Sequence, residues 1–488
     1  MKQAVVVIKD EVNIKIEGLD LDMRRRLVNK FKYDIPYARY LPAVRLGRWD
    51  GKVSFFQLGG STYVNLLPEL LPMLEEYNYD VELDDQREYS TTFEFAEMRE
   101  DTFAGTLWPK GHPQEGQPIV LRDYQVEIIN NFLKNPQCLQ EVATGAGKTI
   151  MTAAMSWNIQ PYGRSIVIVP NKSLVTQTEK DYVNLGLDVG VYFGDRKEFG
   201  KTHTICTWQS LNILLKNTKA GVGSGTIQDF LEGVVCVIVD EVHMAKAEAL
   251  KTLLTGVMAQ VPIRWGLTGT IPKELFESQS LHVSIGPVIS KLAAAELQDR
   301  GVLAQCHVNV VQLVDHVEYN NYQSELKYLL EESGRLDTMA DLIRKVNETG
   351  NTLVLVDRTE CGRQLVERLG DKSVFVSGAT KAKDRQTEYD EVADAVDKII
   401  VATYGVAAVG INIPRIFNLV LIEPGKSFVR VIQSIGRGIR KAEDKDHVQI
   451  WDITSTCKFA KRHLTKRKQF YKEANYPFSQ EKLEWMKI

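Results

Sequence analysis

The feature that most restricts this chain is an alternation that runs twice along it. Between residues 138 and 270 the short apolar runs CLQEVA, SIVIVP, HTICTW, VVCVIVDE and IRWGLTG are each followed by a loop or a helix-like stretch. Between 352 and 454 the pattern returns as TLVLVD, SVFVSG, KIIVAT, NLVLIEP and HVQIWDI, separated by helical segments such as ECGRQLVERLG. Short β-branched runs of this kind are buried on both faces, and strands that alternate with helices pair in parallel. The spacing therefore predicts an α/β protein with two doubly wound parallel-sheet domains in tandem.

A chain of 488 residues is too long for one ordinary core. The expected division is a small α/β domain over residues 1–95, a linker over 96–118, α/β domains over 119–300 and 301–455, and a basic helical extension over 456–488. The stretch TLWPKGHPQEGQP, 106–118, is rich in Pro and Gly and carries the linker reading. The net charge of −3 does not advertise a nucleic-acid binder, so any such role must rest on local patches. Six cysteines scattered singly exclude a zinc-finger or disulfide pattern. No apolar run reaches membrane-spanning length, and MKQAVVVIKDEV is too charged for a secretory signal, so the expected location is the cytoplasm, with no membrane partner.

VATGAGKT, 142–149, follows a strand and opens a helix, the context a phosphate-binding loop needs. Val142, Ala143, Thr144, Gly145, Ala146 and Gly147 form the loop, whose glycines let backbone N–H groups turn toward a phosphate. Lys148 then reaches the β and γ phosphates, and Thr149 supplies a hydroxyl for Mg²⁺. GVGSG, 221–225, lacks both the lysine and the strand and reads as a flexible loop. VIVDEVH, 237–243, places Asp240 and Glu241 at the carboxyl end of a strand, where ligands of open α/β sheets bind. Asp240 is suited to hold Mg²⁺ and Glu241 to orient or deprotonate a water. His243 follows them.

QSIGRGIR, 433–440, reads as a helix with Gln433, Arg437 and Arg440 on one face and Phe428, Ile432, Ile435 and Ile439 on the other. Gly436 and Gly438 each cost roughly 1 kcal/mol relative to Ala in a helix interior, so something must approach the backbone closely. An exposed γ-phosphate is best met by a guanidinium from another domain, and Arg437 and Arg440 are the expected donors, an arrangement worth roughly 10³ to 10⁵ in turnover.

These motifs, in this order, resemble the superfamily 2 helicases of the DExH type over residues 120–455. The resemblance implies two RecA-like domains, ATP hydrolysis and Mg²⁺ as cofactor. LRDYQ, 121–125, is similar to the segment whose Gln contacts adenine, here Gln125, with Arg122 and Tyr124 nearby. LTGT, 267–270, resembles the motif whose hydroxyls couple the two domains, which points to Thr268 and Thr270 together with His243; Gly269 stands where many relatives carry Ala. VPNKSLVTQ and TWQSL resemble strand-contacting motifs and imply Asn171, Lys172, Thr207, Gln209 and Ser210 as backbone contacts. In the second domain LVLVDRTECGRQL implies Arg358, and VATYGVAAVGINIP implies Thr403 and Gly405 on the strand and Gly410 at the nucleotide. With its front domain included, the chain looks most like the phage recombination and repair DNA helicases of that superfamily. That likeness implies forks, Holliday-type junctions, D-loops and RNA–DNA hybrids as substrates, single- and double-stranded DNA as partners, replication and recombination proteins as company, and the infected host's cytoplasm as location. A duplex translocase or an annealing protein without strand separation stays open, as does an RNA substrate.

Residues 24–52 hold nine Lys or Arg against Asp34 and Asp50, with Tyr33, Tyr37, Tyr40 and Trp49 interleaved. Cations neutralise phosphates and rings stack on bases, so Arg24, Arg25, Arg26, Lys30, Lys32, Arg39, Arg45, Arg48 and Trp49 are candidate nucleic-acid contacts; a merely solvated basic face is the competing reading. GRWDGK also reads as a hairpin turn with Asp50 and Gly51 at its tip. FAKRHLTKRKQFYK, 459–472, is a second basic stretch.

Overall fold

The structure is a computed structural model. It describes residues 2–485 except 89–91, 113, 224, 245–246, 379, 381–386, 388, 390, 393–394, 407–412, 414, 428–430, 432–433, 437, 439–440 and 443. The chain forms two compact units, residues 1–142 with 147–291, and residues 143–146 with 292–488.

The first unit opens with β1 (Lys2–Ile8), β2 (Asn13–Glu17), β3 (Lys32–Asp34), β4 (Lys52–Ser54), β5 (Ser61–Tyr63) and β6 (Tyr79–Asp85). Four of these make a small mixed sheet in the order β5-β2-β1-β6, and β3 pairs with β4. The large sheet is built from β7 (Gln137–Val142), β8 (Arg164–Val169), β9 (Val189–Phe193), β10 (Arg196–Lys197), β11 (His203–Thr207), β12 (Val234–Asp240), β13 (Ile263–Thr268) and β14 (Val288–Leu292). Its order is β10-β9-β11-β8-β12-β13-β7-β14, with β9, β11, β8, β12, β13 and β7 mutually parallel. The central strands β8, β11, β12 and β13 are buried over nearly their whole length, as strands covered on both faces are.

The small sheet is seated on the large domain through shared core. Phe276 and Val283, on helix Leu275–Ser284, are buried in the same cluster as Val6, Ile16, Leu27, Phe31, Phe55 and Leu70. Polar contacts fix the register: Glu11 N donates to Ala259 O at 3.0 Å, and Gln137 Nε2 to Glu11 O at 2.9 Å. The Lys251 ammonium lies 4.6 Å from the Phe55 ring centre and 5.6 Å from that of Tyr63. Buried Arg264 donates to the carbonyls of Ser284, Met258 and Val261, satisfying backbone acceptors that would otherwise be stranded beneath the sheet.

Asp50 and Gly51 do make a turn, with Gly51 at φ 75° and Lys52 N donating to Asp50 Oδ1 at 3.1 Å. The expected tight hairpin is nevertheless not formed: β4 pairs with β3, and residues 35–51 make an excursion containing helix Pro42–Arg45. Trp49 closes its base, donating from Nε1 to Lys52 O at 3.0 Å.

The second unit contains β15 (Gln305–Val314), β16 (Thr352–Val356), β17 (Ser373–Val376), β18 (Ile399–Thr403), β19 (Asn418–Ile422), β20 (His447–Ser455) and β21 (Phe478–Glu484). The order is β17-β18-β16-β19-β20-β15-β21, and every pairing is parallel. The carboxy-terminal segment is helical over Lys458–Glu473, as its periodicity suggests, and then adds β21 to the sheet beside β15, a strand that the helical reading of 456–488 did not contain. Buried ions tie the sheet together. Arg335 reaches Asp315 at 3.3 Å and Glu423 at 2.8 Å, and Arg467 reaches Asp452 at 2.8 Å, all with side chains at most 5% exposed.

Candidate active site

The first unit's strand order decides where the functional residues meet. β12, β13 and β7 are neighbours, so three sequence-distant segments emerge side by side from their carboxyl ends: residues 240–243, residues 268–270 and the loop opened by Val142. β8 and β11 lie on the other side of β12; β8 leads through Pro170 to Asn171, and β11 ends at Thr207. Outside the carboxyl ends of parallel strands is where open α/β sheets bind ligands.

The loop after Val142 turns through Gly145 at φ 91° and Gly147 at φ 85°, conformations that a side chain opposes. Helix Lys148–Ile159 then starts with Lys148 and Thr149, both buried. The Lys148 ammonium donates to Val142 O at 3.3 Å and pairs with Glu241 Oε1 at 3.1 Å. Gln125 accepts at Oε1 from Arg122 N at 2.9 Å, and its Nε2 lies so near Gly147 that a Cβ there would come within 2.5 Å. Arg122 also donates to the Tyr124 hydroxyl at 2.9 Å. The LRDYQ segment is thus laid against the loop.

Glu241 sits at φ 50°, a left-handed conformation uncommon outside glycine, and this turn aims its carboxylate back along the edge. It accepts from Gly269 N at 3.3 Å, and its Oε2 lies 3.4 Å from His243 Nδ1. The Thr268 hydroxyl gives its proton to Thr270 O at 2.9 Å and accepts from Thr270 N at 3.2 Å. With that proton committed, the contact between His243 and Thr268 requires the imidazole to donate through Nδ1. A continuous polar chain therefore runs from Lys148 through Glu241 and His243 to Thr268 and Thr270.

Asp240 accepts from Glu241 N at 2.9 Å and is 3% exposed. Burial, reinforced by the neighbouring Glu241 charge and opposed by Lys148, pushes its carboxyl upward. Such a carboxylate favours a cation. Among the described residues no three His, Cys, Asp or Glu side chains cluster as a self-sufficient metal site. The donors present suit a magnesium ion instead, which Asp240 would hold by its carboxylate and Thr149 by its hydroxyl.

The Thr149 hydroxyl donates to Asp181 Oδ2, on helix Lys172–Asn184. Burial raises the Asp181 carboxyl, and the hydrogen bond from Thr149 opposes the rise. Reading the sequence did not single out Asp181. Its signal was an acid set within the inward-facing positions Val175, Thr178 and Tyr182 of an amphipathic helix.

Further along the edge Asn171 caps that same helix, accepting from Leu174 N at 3.0 Å, and Lys172 opens it. Thr207 caps helix Trp208–Ala220, accepting from Ser210 N at 3.3 Å, while its hydroxyl and that of Ser210 are 2.9 Å apart. Gln209 Nε2 reaches Pro170 O at 3.5 Å. In the second unit Arg358 precedes helix Thr359–Leu369 and pairs with Glu331 at 3.2 Å. Thr403 ends β18, and Gly405 has open space where a Cβ would stand. Gln433, Arg437, Arg440 and Gly410 lie outside the described residues, as do Phe428, Ile432 and Ile439. Ile435 is buried, and a Cβ on Gly438 would come within 2.9 Å of Leu419 Cδ2 on β19. The close approach expected at that glycine is packing on the sheet.

At the front, Arg26 pairs with Asp22 at 3.0 Å and Lys32 with Asp50 at 2.6 Å, and Arg24 is half-buried. Arg25, Lys30, Arg45 and Arg48 are exposed, and the Arg39 guanidinium lies 4.8 Å from the centre of the exposed Tyr40 ring.

Two families match this chain: the Type III restriction enzyme res subunit over residues 118–273, and the helicase conserved C-terminal domain over residues 334–442. Together they take in a little over half of it. The chain belongs to the superfamily 2 helicases. It is an ATP-dependent enzyme of that superfamily, a DNA helicase or translocase. It is 22% identical over 467 residues to the "ATP-dependent DNA helicase uvsW" of Enterobacteria phage T4, covering 91% of this chain and 89% of that one. It is 24% identical to the "DNA 3'-5' helicase XPB" of Kineococcus radiotolerans, covering 73% and 64%. The solved structure of the ATP-dependent Type ISP restriction-modification enzyme LlaBIII bound to DNA shares the fold, with TM-score 0.56, 15% identity, and coverage of 86% of this chain and 34% of that one. Among the described residues no helix is long and apolar enough to cross a membrane.

Proposed function

We propose that this helicase remodels branched DNA and RNA–DNA hybrids, and that nucleotide and strand are handled along one sheet edge of its first unit. The observation that carries the mechanistic half is the adjacency of β8 and β12: the segment opened by Asn171 and Lys172 leaves the sheet beside the one that carries Asp240 and Glu241. Lys148 and the loop N–H groups hold the phosphates, Gln125 meets the base, and Glu241 takes the proton of the attacking water. Asp240 and Thr149 would hold a magnesium ion, which would supply charge neutralisation at the phosphates. In this reading Gly410 is assigned to nucleotide binding, and Arg437 and Arg440 to stabilising charge that develops on the γ-phosphate. The polar chain from Glu241 to Thr268 and Thr270 carries the change on hydrolysis away from the nucleotide. Asn171, Lys172, Thr207, Gln209, Ser210, Arg358, Thr403 and Gly405 hold the strand by its backbone, which gives affinity without sequence preference.

The substrate class is supported by a likeness to the phage DNA helicase that runs through the front domain as well as the motor. Exposed Arg25, Lys30, Arg45 and Arg48 with Arg39 on Tyr40 suit a junction, where phosphates and unstacked bases occur together. The work belongs to recombination-linked replication and repair, in the cytoplasm of an infected host cell, alongside replication and recombination proteins. The match to the restriction-enzyme family supports a second reading, a duplex translocase that tracks without separating strands. ATP turnover measured with single strand, duplex, fork, four-way junction, RNA and RNA–DNA hybrid, alongside strand-displacement and triplex-displacement assays, tests both. Greatest stimulation by forks and junctions with strand displacement is expected; triplex displacement alone would favour the translocase.

A further inference from the structure

The outward face of helix Lys458–Glu473 is cationic from Lys458 to Lys472, and an acid, Glu473, stands only at its end. Its exposed positions are Lys458, Lys461, Arg462, Thr465, Lys466, Gln469, Lys472 and Glu473. Other helices of the same unit mix signs and neutralise them: Arg344 pairs with Asp341, and Arg368 with Asp337. Lys458, Lys461, Arg462, Lys466 and Lys472 have no ion-pair partner among the described residues.

This arrangement opposes the stability of the helix that carries it. Lys458 with Lys461, Lys458 with Arg462, and Arg462 with Lys466 stand three or four residues apart, where like charges on a helix repel. The first turn has no acid and begins with Lys458, so cations sit at the end where the helix dipole disfavours them. The opposite face pins the helix in place. Arg467, fully buried, is bidentate on Asp452 at 2.8 and 2.9 Å and donates to Gly425 O at 2.7 Å. Glu325 accepts from Phe459 N at 3.0 Å and Ala460 N at 2.7 Å, anchoring the first turn. A self-repelling cationic row on a locked helix is a surface that gains from meeting anions.

We propose that this face is a track for the phosphate backbone of duplex DNA, a contact separate from the strand-holding residues of the motor. The inference rests on the reading of the chain as a DNA motor and adds the surface that holds duplex. At 1.5 Å per residue the row from Lys458 to Lys472 is about 21 Å long, enough to follow several successive phosphates. The ring nearest to it, Phe459, is half-buried, with Lys458 and Arg462 5.8 and 5.9 Å from its centre, so the face offers charge without an open stacking platform. That favours duplex over single strand, whose binding depends on stacked bases. An open groove of roughly 690 Å³ borders the amino-terminal half, where Lys458, Lys461 and Arg462 face Glu318, His316 and Asp315; the last is already engaged by Arg335.

The test compares the full-length protein with the triple variant Lys458→Gln, Arg462→Gln, Lys466→Gln, and with a control neutralising Lys134, Lys219 and Lys345 elsewhere. Binding of a blunt duplex is titrated from low to high salt. The wild-type slope of log affinity against log salt is expected to shrink in magnitude by about 2 to 3 in the triple variant and by little in the control, from about 0.9 per lost contact. Single-strand-stimulated ATP turnover should be unchanged, and the thermal midpoint should be no lower, since repulsion has been removed. An unchanged duplex slope overturns the proposal, as does an equal loss in the control. A parallel loss of single-strand affinity overturns the duplex assignment, and a lowered midpoint overturns the self-repulsion on which it rests. Absence of DNA-stimulated turnover in the wild type would instead sink the motor reading while leaving the slope result to stand.

Discussion

The Thr149 hydroxyl gives its proton to Asp181, a residue on the helix that Asn171 caps and Lys172 opens. A hydroxyl that coordinates a cation does so through a lone pair and must send its proton elsewhere. Asp181 fixes that direction, and it ties the hydroxyl proposed to hold magnesium to the helix proposed to touch the strand.

Asp181→Ala is therefore expected to raise the Mg²⁺ concentration for half-maximal ATP turnover by roughly 10-fold, the equivalent of one hydrogen bond to a charged group. Asp181→Asn, whose amide oxygen still accepts, should recover much of the loss. Titration of Mn²⁺ by electron paramagnetic resonance with a non-hydrolysable ATP analogue reads the same effect without turnover. Equal Mn²⁺ affinity in all three proteins would remove Asp181 from the site.

The Lys148 ammonium pairs with Glu241 Oε1 at 3.1 Å. Lys148→Ala should lower turnover by at least 10²- to 10³-fold, the scale for losing one preorganised electrostatic contact. Junction binding should change little, because the proposed strand contacts lie on other strand ends. Fluorescence anisotropy with a labelled four-way junction checks this, and joint loss of binding and turnover would contradict the division of labour.

What could be read in advance followed from burial. Parallel strands covered on both faces print as β-branched runs, so both large sheets were legible, and the glycines of VATGAGKT announced backbone that must turn through positive φ. β21 was not legible because FSQEKLE is an exposed edge strand with almost no apolar face. Arg335, Asp315 and Glu423 were invisible for another reason: they lie far apart in sequence, and nothing local marks a charge that will find its partners only when β15 and β19 enter one sheet. Gly438 declared a close approach, but only the fold names Leu419 as the neighbour.

Arg437 offers a test that separates chemistry from affinity. A cation that meets the γ-phosphate only as charge develops contributes to the transition state and little to the ground state. Arg437→Ala is expected to reduce kcat by about 10³-fold or more with an ATP affinity within a few-fold of the wild type. Single-turnover hydrolysis together with nucleotide binding decides it, and equal losses in both would assign Arg437 to binding.

His203 gives a pH signature for the first unit. It opens β11 with no exposed surface, its Nδ1 lies 2.7 Å from Ser165 Oγ, and that hydroxyl is 2.9 Å from Ser156 Oγ, which contacts the Tyr182 hydroxyl at 2.6 Å. Burial lowers its pKa from the usual 6.5 to about 4, with the Asp188 charge opposing. The unfolded imidazole therefore takes up a proton that the folded one refuses. Its contribution to stability is complete above about pH 6.5 and is lost as pH falls from there toward 4, by roughly 1.4 kcal/mol for each pH unit. Between pH 7.5 and 5.5 the free energy of unfolding should fall by on the order of 1 kcal/mol more in the wild type than in His203→Gln, measured by urea titration of tryptophan fluorescence. Parallel pH dependence in the two proteins would mean that the imidazole takes up its proton in the fold as readily as in the unfolded chain.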